Sequence, residues 1–413
     1  MQMKNRFLRI VLLLILSVIL GLGWWVPSAK ADTENQKLIA EVWRIVNQSY
    51  VDETFNHQNW WLVRQNAMKQ RTKNREETYS VIGKMLASLD DPFTRHLQPS
   101  QYRNLQVSTS GELTGVGLQI AVDEETGNLL VVTPIVGSPA EKAGIKPGDR
   151  ILKIDGVSTT QFSLDEAAAL MRGPRGSQVV LSVGRQQEGA QEFTLVRDRI
   201  ALNPVIAELR SSPESVPVGY IRLNQFNGNA VAEVAHAISK LEKLGADAYI
   251  LDLRNNPGGL LQAGIEIARL WLDRGTIVYT VNRQGIIGSF EATNVALTND
   301  PLVVLVNRGT ASASEILAGA LQDNQRAQII GEKTFGKGLI QSLFDLSDGS
   351  GLAVTVAKYE TPNHHDINKL GITPDRVISW EPTAFDQIAT EVDQQYKTAF
   401  EILTTPSVVA NAG

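Results

Sequence analysis

The sequence predicts a multi-domain α/β protein, on three observations. At 413 residues and roughly 100–200 residues per domain, the chain holds about two to four of them. Residues 101–196 alternate short strand-like runs with Gly/Pro turns, the pattern of a compact β-rich module. Residues 200–380 instead alternate strands with helical segments, which predicts a sheet covered by helices. Hydrophobic residues make up 43% and charged residues 20%, so disorder as the main state is excluded. With 39 Lys+Arg against 44 Asp+Glu, the net charge is 39 − 44 = −5. A mildly acidic chain has no electrostatic footprint for nucleic acid. No cysteine is present, which excludes a disulfide framework, a thiol nucleophile and thiolate-bound metal.

The elements follow in order. Lys4, Arg6 and Arg9 precede an apolar run from Ile10 to Val26, and Ala29 and Ala31 give a small-x-small pattern. These are the three regions of a signal peptide cut after Ala31, with a retained anchor as the alternative. Removal of residues 1–31 takes four basic residues, leaving 35 − 44 = −9. Either way the working part is exported. Residues 34–100 read as helical: Leu38, Val42, Ile45 and Val46 follow helical spacing, and a second helix is expected over 79–89. In 101–196, two short helices, over 139–143 and 164–171, interrupt the strands. In 200–380, helices are expected over 231–244, 261–272 and 313–322, between apolar strands that include 339–346. Residues 383–405 again read as a helix, one that closes this α/β domain.

Three segments carry chemistry. In Asn307-Arg308-Gly309-Thr310-Ala311-Ser312-Ala313-Ser314-Glu315, a strand runs through small residues into a helix. Ser312 and Glu315 have capping-box spacing, so a plain helix N-cap is one reading of Ser312. The other is a nucleophile exposed at a strand-to-helix turn, with the Ala313 N–H holding an oxyanion. A serine needs a base. None of His57, His96, His236, His364 and His365 sits in a setting that suggests one. His364 and His365 read as surface or substrate-edge residues, and no second ligand cluster accompanies them to make a metal site. Lysine can replace histidine when desolvated. Lys337, in Phe335-Gly336-Lys337-Gly338-Leu339-Ile340-Gln341, is the candidate, with a solvated loop lysine as the plain reading. A strand starting near Lys337 would put residues 337, 339 and 341 on one face, where Gln341 can orient the amine. The third segment, Leu251-Asp252-Leu253-Arg254-Asn255-Asn256-Pro257-Gly258-Gly259, ends a strand in a Gly-rich turn. It offers the Gly258 N–H as a second oxyanion donor; Asp252 and Arg254 can equally form a structural ion pair. In the β-rich module, Gly115-Val116-Gly117-Leu118 opens a strand whose N–H groups can capture a chain-terminal carboxylate, or simply make a hairpin turn.

Taken together, these segments resemble the carboxyl-terminal processing proteases, the tail-specific serine proteases. The resemblance rests on Ser-Ala-Ser-Glu at Ser312, on Gly-Lys-Gly at Lys337 with Gln341 four residues on, on the 25-residue Ser-to-Lys spacing, on the Gly258-Gly259 block and on Gly371-Ile372-Thr373-Pro374-Asp375. It implies a protease core with a ClpP/crotonase-like ββα arrangement (197–380), an inserted PDZ domain (101–196) and a helical N-terminal unit (32–100). The C-terminal helical segment (381–413) is expected to join that N-terminal unit. It also implies a Ser312–Lys337 dyad with Gln341, an oxyanion hole at Gly258 and Ala313, a PDZ carboxylate loop at Gly115, Val116, Gly117 and Leu118, and no cofactor. Tyr359-Glu360-Thr361-Pro362-Asn363-His364-His365-Asp366-Ile367 is similar to the photosynthetic branch. The expected substrate is then the C-terminal tail of a membrane-associated protein, the photosystem II D1 precursor, in the thylakoid lumen. The alternatives are a broader periplasmic tail-specific protease, a non-catalytic PDZ scaffold and, more distantly, an acyl-CoA enzyme.

Overall fold

The computed structural model describes residues 26–123, 126–185, 189–211, 216–379 and 387–405, with side chains from residue 34 on. The apolar run expected to be a leader lies almost wholly outside the described residues. The helix Val26–Ser49 spans the expected cut after Ala31. Among the described residues, no helix is long and apolar enough to cross a membrane.

The chain forms two units, each contributed by non-contiguous segments. The first takes residues up to Asn104, then Tyr279–Ser289 and Gly338–Glu360. In it, Leu38, Ile39, Val42 and Val46 form a buried stripe along Val26–Ser49, while Ile45 is partly buried. They pack with Trp60 and Ala67 of Trp60–Met68 and with Val81, Ile82, Met85 and Leu86 of Arg75–Ala87. Asn59 and Asn74 cap these two helices, accepting from the Leu62 and Glu77 N–H groups. Leu352 and Val354 complete the cluster.

Those last two residues lie on Gly351–Glu360, the longest strand. It pairs antiparallel with Leu339–Asp345 on one side, and with Arg95–Leu97 and Thr276–Asn282 on the other. Residues 339–346 were expected in the main α/β sheet; they belong instead to this antiparallel sheet. Only a short turn over 346–350 separates the two strands, closed by Leu346 N–H to Ser350 O at 3.0 Å and Ser350 N–H to Asp348 Oδ1 at 3.1 Å. So short a link makes a hairpin, whereas a parallel neighbour needs a crossover of about a dozen residues.

The second unit holds the β-rich module and the main sheet. The module's strands run in the order Leu118–Val122, Leu129–Pro134, Arg150–Ile154, Gln178–Arg185, Gly189–Val196, with Val157–Ser158 beside Arg150–Ile154. Its core is Val116, Leu129, Val131, Ile151, Leu181, Val183 and neighbours, covered by Leu164–Met171. Ser163 and Glu166 start that helix with a reciprocal capping box. Glu112–Gly115 pairs antiparallel with Asp198–Ala201, so the chain enters and leaves the module side by side.

The main sheet has the order Val205–Arg210, Val218–Leu223, Ala248–Asp252, Leu302–Val306, Gln328–Gly331, Arg376–Val377. All pairs but the first are parallel. Its three central strands are buried at every position, the continuous apolar run expected of a sheet covered on both faces. The C-terminal helix Gln394–Thr404 lies on this sheet. Tyr396, Ala399 and Leu403 pack with Val218, Tyr220, Ile250, Val303, Leu305 and Ile330. The helix thus closes the α/β domain, as the residues suggested, which corrects the expectation drawn from the resemblance that helices from both chain ends form one unit. The apolar face of this helix matches a sheet face, and Asp393 at its N-cap is tied into the sheet by Arg254.

Candidate active site

Three turns of the second unit converge at the C-terminal ends of parallel strands. That is where helix N-termini, and their free N–H groups, collect in such a sheet. The first turn leads from Leu302–Val306 into the helix Ala313–Asp323. Ser312 stands at its tip with φ 59° and ψ −117°. A non-glycine residue there costs about 1–3 kcal/mol and persists only where its surroundings hold it. The Ser312 carbonyl accepts from the Glu315 and Ile316 N–H groups, at 2.8 and 3.0 Å. Across a trans peptide the next N–H points the opposite way, so the Ala313 N–H projects out of the helix N-terminus. Ser314, the neighbouring hydroxyl, is fully buried and donates to the Asn256 carbonyl at 3.0 Å. Ser312 is only partly buried, so it is the accessible serine of the pair.

The second turn follows Ala248–Asp252. Asp252 and Arg254, left open between ion pair and site by the sequence, form a buried ion pair. The Arg254 guanidinium reaches Asp252 at 2.6 Å and Asp393 at 2.8 Å, and Tyr220 donates to Asp252 at 2.8 Å. Burial alone would raise the Asp252 carboxyl; Arg254 beside it more than reverses this and holds it below the usual carboxylate range. Burial pushes the Tyr220 hydroxyl far up, with Asp252 adding to it. Above this pair the first two turns are laced together. Asn255 N–H donates to Asn307 Oδ1 at 2.9 Å, Ala311 N–H to Asn256 O at 3.0 Å and Thr310 Oγ1 to Leu253 O at 2.9 Å. Gly258 has φ 94°, and a Cβ there would lie 2.7 Å from Ala311 O and 2.9 Å from both Ser312 Cβ and Ala313 N. Only glycine permits that approach. The Gly258 N–H donates to Asn256 Oδ1 at 2.9 Å, so an oxyanion would have to share it or take it from that side chain.

The third turn carries Lys337. The strand after it begins at Leu339, so strand alternation does not direct the lysine. Glu315 does. This carboxylate is fully buried. Its Oε1 accepts from Thr334 Oγ1 at 2.6 Å and Gly336 N–H at 2.7 Å; its Oε2 accepts from Ser312 N–H at 2.8 Å and Lys337 N–H at 2.9 Å. One oxygen thus holds the backbone nitrogens of Ser312 and Lys337, which lie within two hydrogen-bond lengths of each other. The sequence flagged Glu315 as half of a capping box, and its carboxylate does reach back to the Ser312 N–H. Its second duty, toward the lysine turn, was missed. A carboxylate opening an otherwise apolar helix was the available signal, since a buried charge must be saturated with hydrogen bonds. Gln341 lies in the first unit, where its amide donates to Thr355 Oγ1 at 3.5 Å.

In the β-rich module, the Val116 carbonyl accepts from Ala140 N–H and the Gly117 carbonyl from Ile135 N–H, both at 2.9 Å. By the same peptide geometry, the Gly117 and Leu118 N–H groups point away from these contacts. A Cβ on Gly117 would collide with Ser138. Gly115 forms an isolated bridge with Arg172, just beyond the helix Leu164–Met171. His364 and His365 are exposed in a turn. Among the described residues, no group of three or more His, Cys, Asp or Glu is placed to hold a metal.

Comparison with known proteins fits this geometry. The model of peptidase family S41 matches residues 217–378, and a PDZ domain model matches 130–185. A carboxyl-terminal-processing protease of Synechocystis sp. is 61% identical over 410 residues, 98% of this chain and 95% of that protein. The chain belongs to peptidase family S41. Carboxyl-terminal-processing peptidase 2 of Arabidopsis thaliana, a chloroplastic member, is 48% identical over 91% of this chain and 75% of its own. A solved photosystem II D1 C-terminal processing protease shares 44% identity with a TM-score of 0.56, covering 85% of this chain and 95% of that one. As a family S41 member the chain is a serine-type peptidase, with the β-rich module as its PDZ domain.

Proposed function

We propose that this peptidase trims protein C-termini with Ser312 as nucleophile and Lys337 as its base. The neutral Lys337 amine takes the Ser312 proton as Oγ attacks the scissile carbonyl. The tetrahedral oxyanion is held by the Ala313 N–H, joined by Gly258 N–H as it leaves Asn256. The lysine then protonates the departing amine, and water hydrolyses the acyl-enzyme by the reverse proton path. The observation that carries this reading is the Glu315 carboxylate, which fixes the backbone of both reacting residues through one oxygen. In the PDZ domain, the outward N–H groups of Gly117 and Leu118 receive the tail carboxylate.

The substrate we assign is the C-terminal extension of the photosystem II D1 precursor, met in the thylakoid lumen after export on residues 1–31. What supports this is the likeness to a D1 processing protease and to chloroplastic relatives, with the leader-like start of the chain. The test is cleavage of a D1-precursor C-terminal peptide by residues 32–413, beside Ser312→Ala and Lys337→Ala. Single-site cleavage lost in both variants is the expected result. If the wild type ignores that peptide but cuts unrelated apolar-tailed proteins, the substrate is broader. Cleavage that survives Lys337→Ala ends the dyad. Because only the neutral amine accepts a proton, the rate is expected to rise with pH. A flat profile from mildly acidic to alkaline pH would contradict that.

A further inference from the structure

Phe335 and Leu370 are 60% and 58% exposed. Scattered exposed apolar residues are ordinary; these two are neither scattered nor loose. Phe335 lies two residues before Lys337, and four consecutive N–H groups around it are all bonded. Thr334 N–H donates to Ile372 O at 3.1 Å and Phe335 N–H to Thr310 O at 3.0 Å, and the next two go to Glu315. Leu370 sits on the turn that packs against this one. Lys369 N–H donates to Gly336 O at 2.8 Å and Ile372 N–H to Thr334 Oγ1 at 2.7 Å. A Cβ on Gly336 would lie 3.0 Å from the Lys369 carbonyl carbon, and one on Gly371 2.6 Å from Thr334 O. Two large apolar side chains thus project from adjoining backbones, one of them fastened to the same carboxylate as Ser312.

Neither side chain contributes to folding in proportion to its size, since each remains mostly in water. Held on pinned backbone, however, an exposed apolar pair loses little entropy when a partner covers it. We infer that Phe335 and Leu370 form an apolar subsite that receives an aliphatic or aromatic side chain of the substrate beside the scissile bond. The inference rests on the proposed roles of Ser312 and Lys337. It makes the lysine turn a reader of substrate sequence as well as the carrier of the base, and places part of the specificity outside the PDZ domain.

The test compares kcat/KM for tail peptides that share one C-terminus and carry Leu, Phe, Ser or Asp in turn at each residue flanking the scissile bond. The enzymes are wild type, Phe335→Ser, Phe335→Leu, Leu370→Ser and Ser312→Ala. At one flanking position, the wild type should prefer Leu or Phe over Ser by roughly tenfold or more, as apolar pockets do. Phe335→Ser and Leu370→Ser should lose most of that preference through KM, while Phe335→Leu keeps it. Thermal unfolding midpoints should stay at the wild-type value, because both positions are exposed. A preference unaltered in both Ser variants overturns the inference. So does an equal loss for every peptide, which marks a purely structural role, or a changed oligomeric state with selectivity intact, which gives the face to a second copy of the chain. Wild-type cleavage that persists in Ser312→Ala is a different failure, that of the proposed nucleophile.

Discussion

The turns around Ser312 and the PDZ domain belong to the same unit and are held by opposite means. Around Ser312, the ties are buried polar groups: Glu315 with four donors, Arg254 between Asp252 and Asp393, and Asn307 with Asn255. The PDZ domain relies on an antiparallel ladder over one apolar cluster, and the ion pairs at its junction with the main sheet are solvated. Arg199–Glu112 has side chains 63% and 36% exposed, and Arg175–Asp198 74% and 45%. Among its described residues the one buried carboxylate, Asp149, is held low chiefly by its hydrogen bonds from Arg185. Buried polar ties fix atoms in place but leave costly orphans when cut. A ladder with exposed ion pairs tolerates loss at its rim. The first arrangement suits atoms that must meet within fractions of an ångström, and the second suits a module proposed only to grip a tail.

The largest effect should come from Ser312→Ala, which removes the oxygen we propose as nucleophile and no buried contact. Peptide cleavage should fall by at least about three orders of magnitude, with an unchanged calorimetric midpoint. Arg254→Met cuts the deepest tie. It strands Asp252 and Asp393 as unpaired buried charges, and urea titration should show a loss of about 3–5 kcal/mol. If the loss were under about 1 kcal/mol, the contrast between the two regions would collapse. Glu315→Gln keeps the volume but turns an amide NH2 toward donors. Activity should drop on the order of a hundredfold through misplacement of the two turns, mainly in kcat.

Acid sharpens the comparison in a different way. Asp252 is held below its ordinary value, so its contribution to stability is complete above the usual carboxylate pKa of about 3.9. It is lost as pH falls through the lower folded value. Wild-type stability should therefore decline below about pH 4, and Asp252→Asn, though less stable overall, should decline less steeply. The smallest effect is expected at the PDZ rim, where Arg199→Ala should cost less than about 1 kcal/mol. A larger loss in the same titration would show that this domain too depends on its ion pairs.

Much of this was legible in the sequence where a local rule and the global fold agree. The stripe of Leu38, Val42 and Val46, the short helix Leu164–Met171 and the apolar strands beside Ser312 follow from periodicity and turn spacing. So does the strand-to-helix turn at Ser312. What escaped were pairings decided by distant partners. The strand Gly351–Glu360 reads like any apolar run until the hairpin at Asp348 sends it into an antiparallel sheet. The sequence read the C-terminal helix as closing the α/β domain but not the contact that seats it, which is set by Asp393 meeting Arg254, residues 139 apart in the chain. Glu315 was visible only for its local cap. Its bonds to Thr334, Gly336 and Lys337 span about twenty residues, beyond the reach of helical spacing.

The pairing of Glu112–Gly115 with Asp198–Ala201 has an evolutionary reading. An insert whose two ends leave the host at adjacent points imposes no stretch on it, so it behaves as a cassette. Gene rearrangement can exchange one tail reader for another, or shorten it to a tight loop joining the paired strands, without re-threading the main sheet. A lineage could in this way change which proteins it matures while inheriting its bond-breaking chemistry intact.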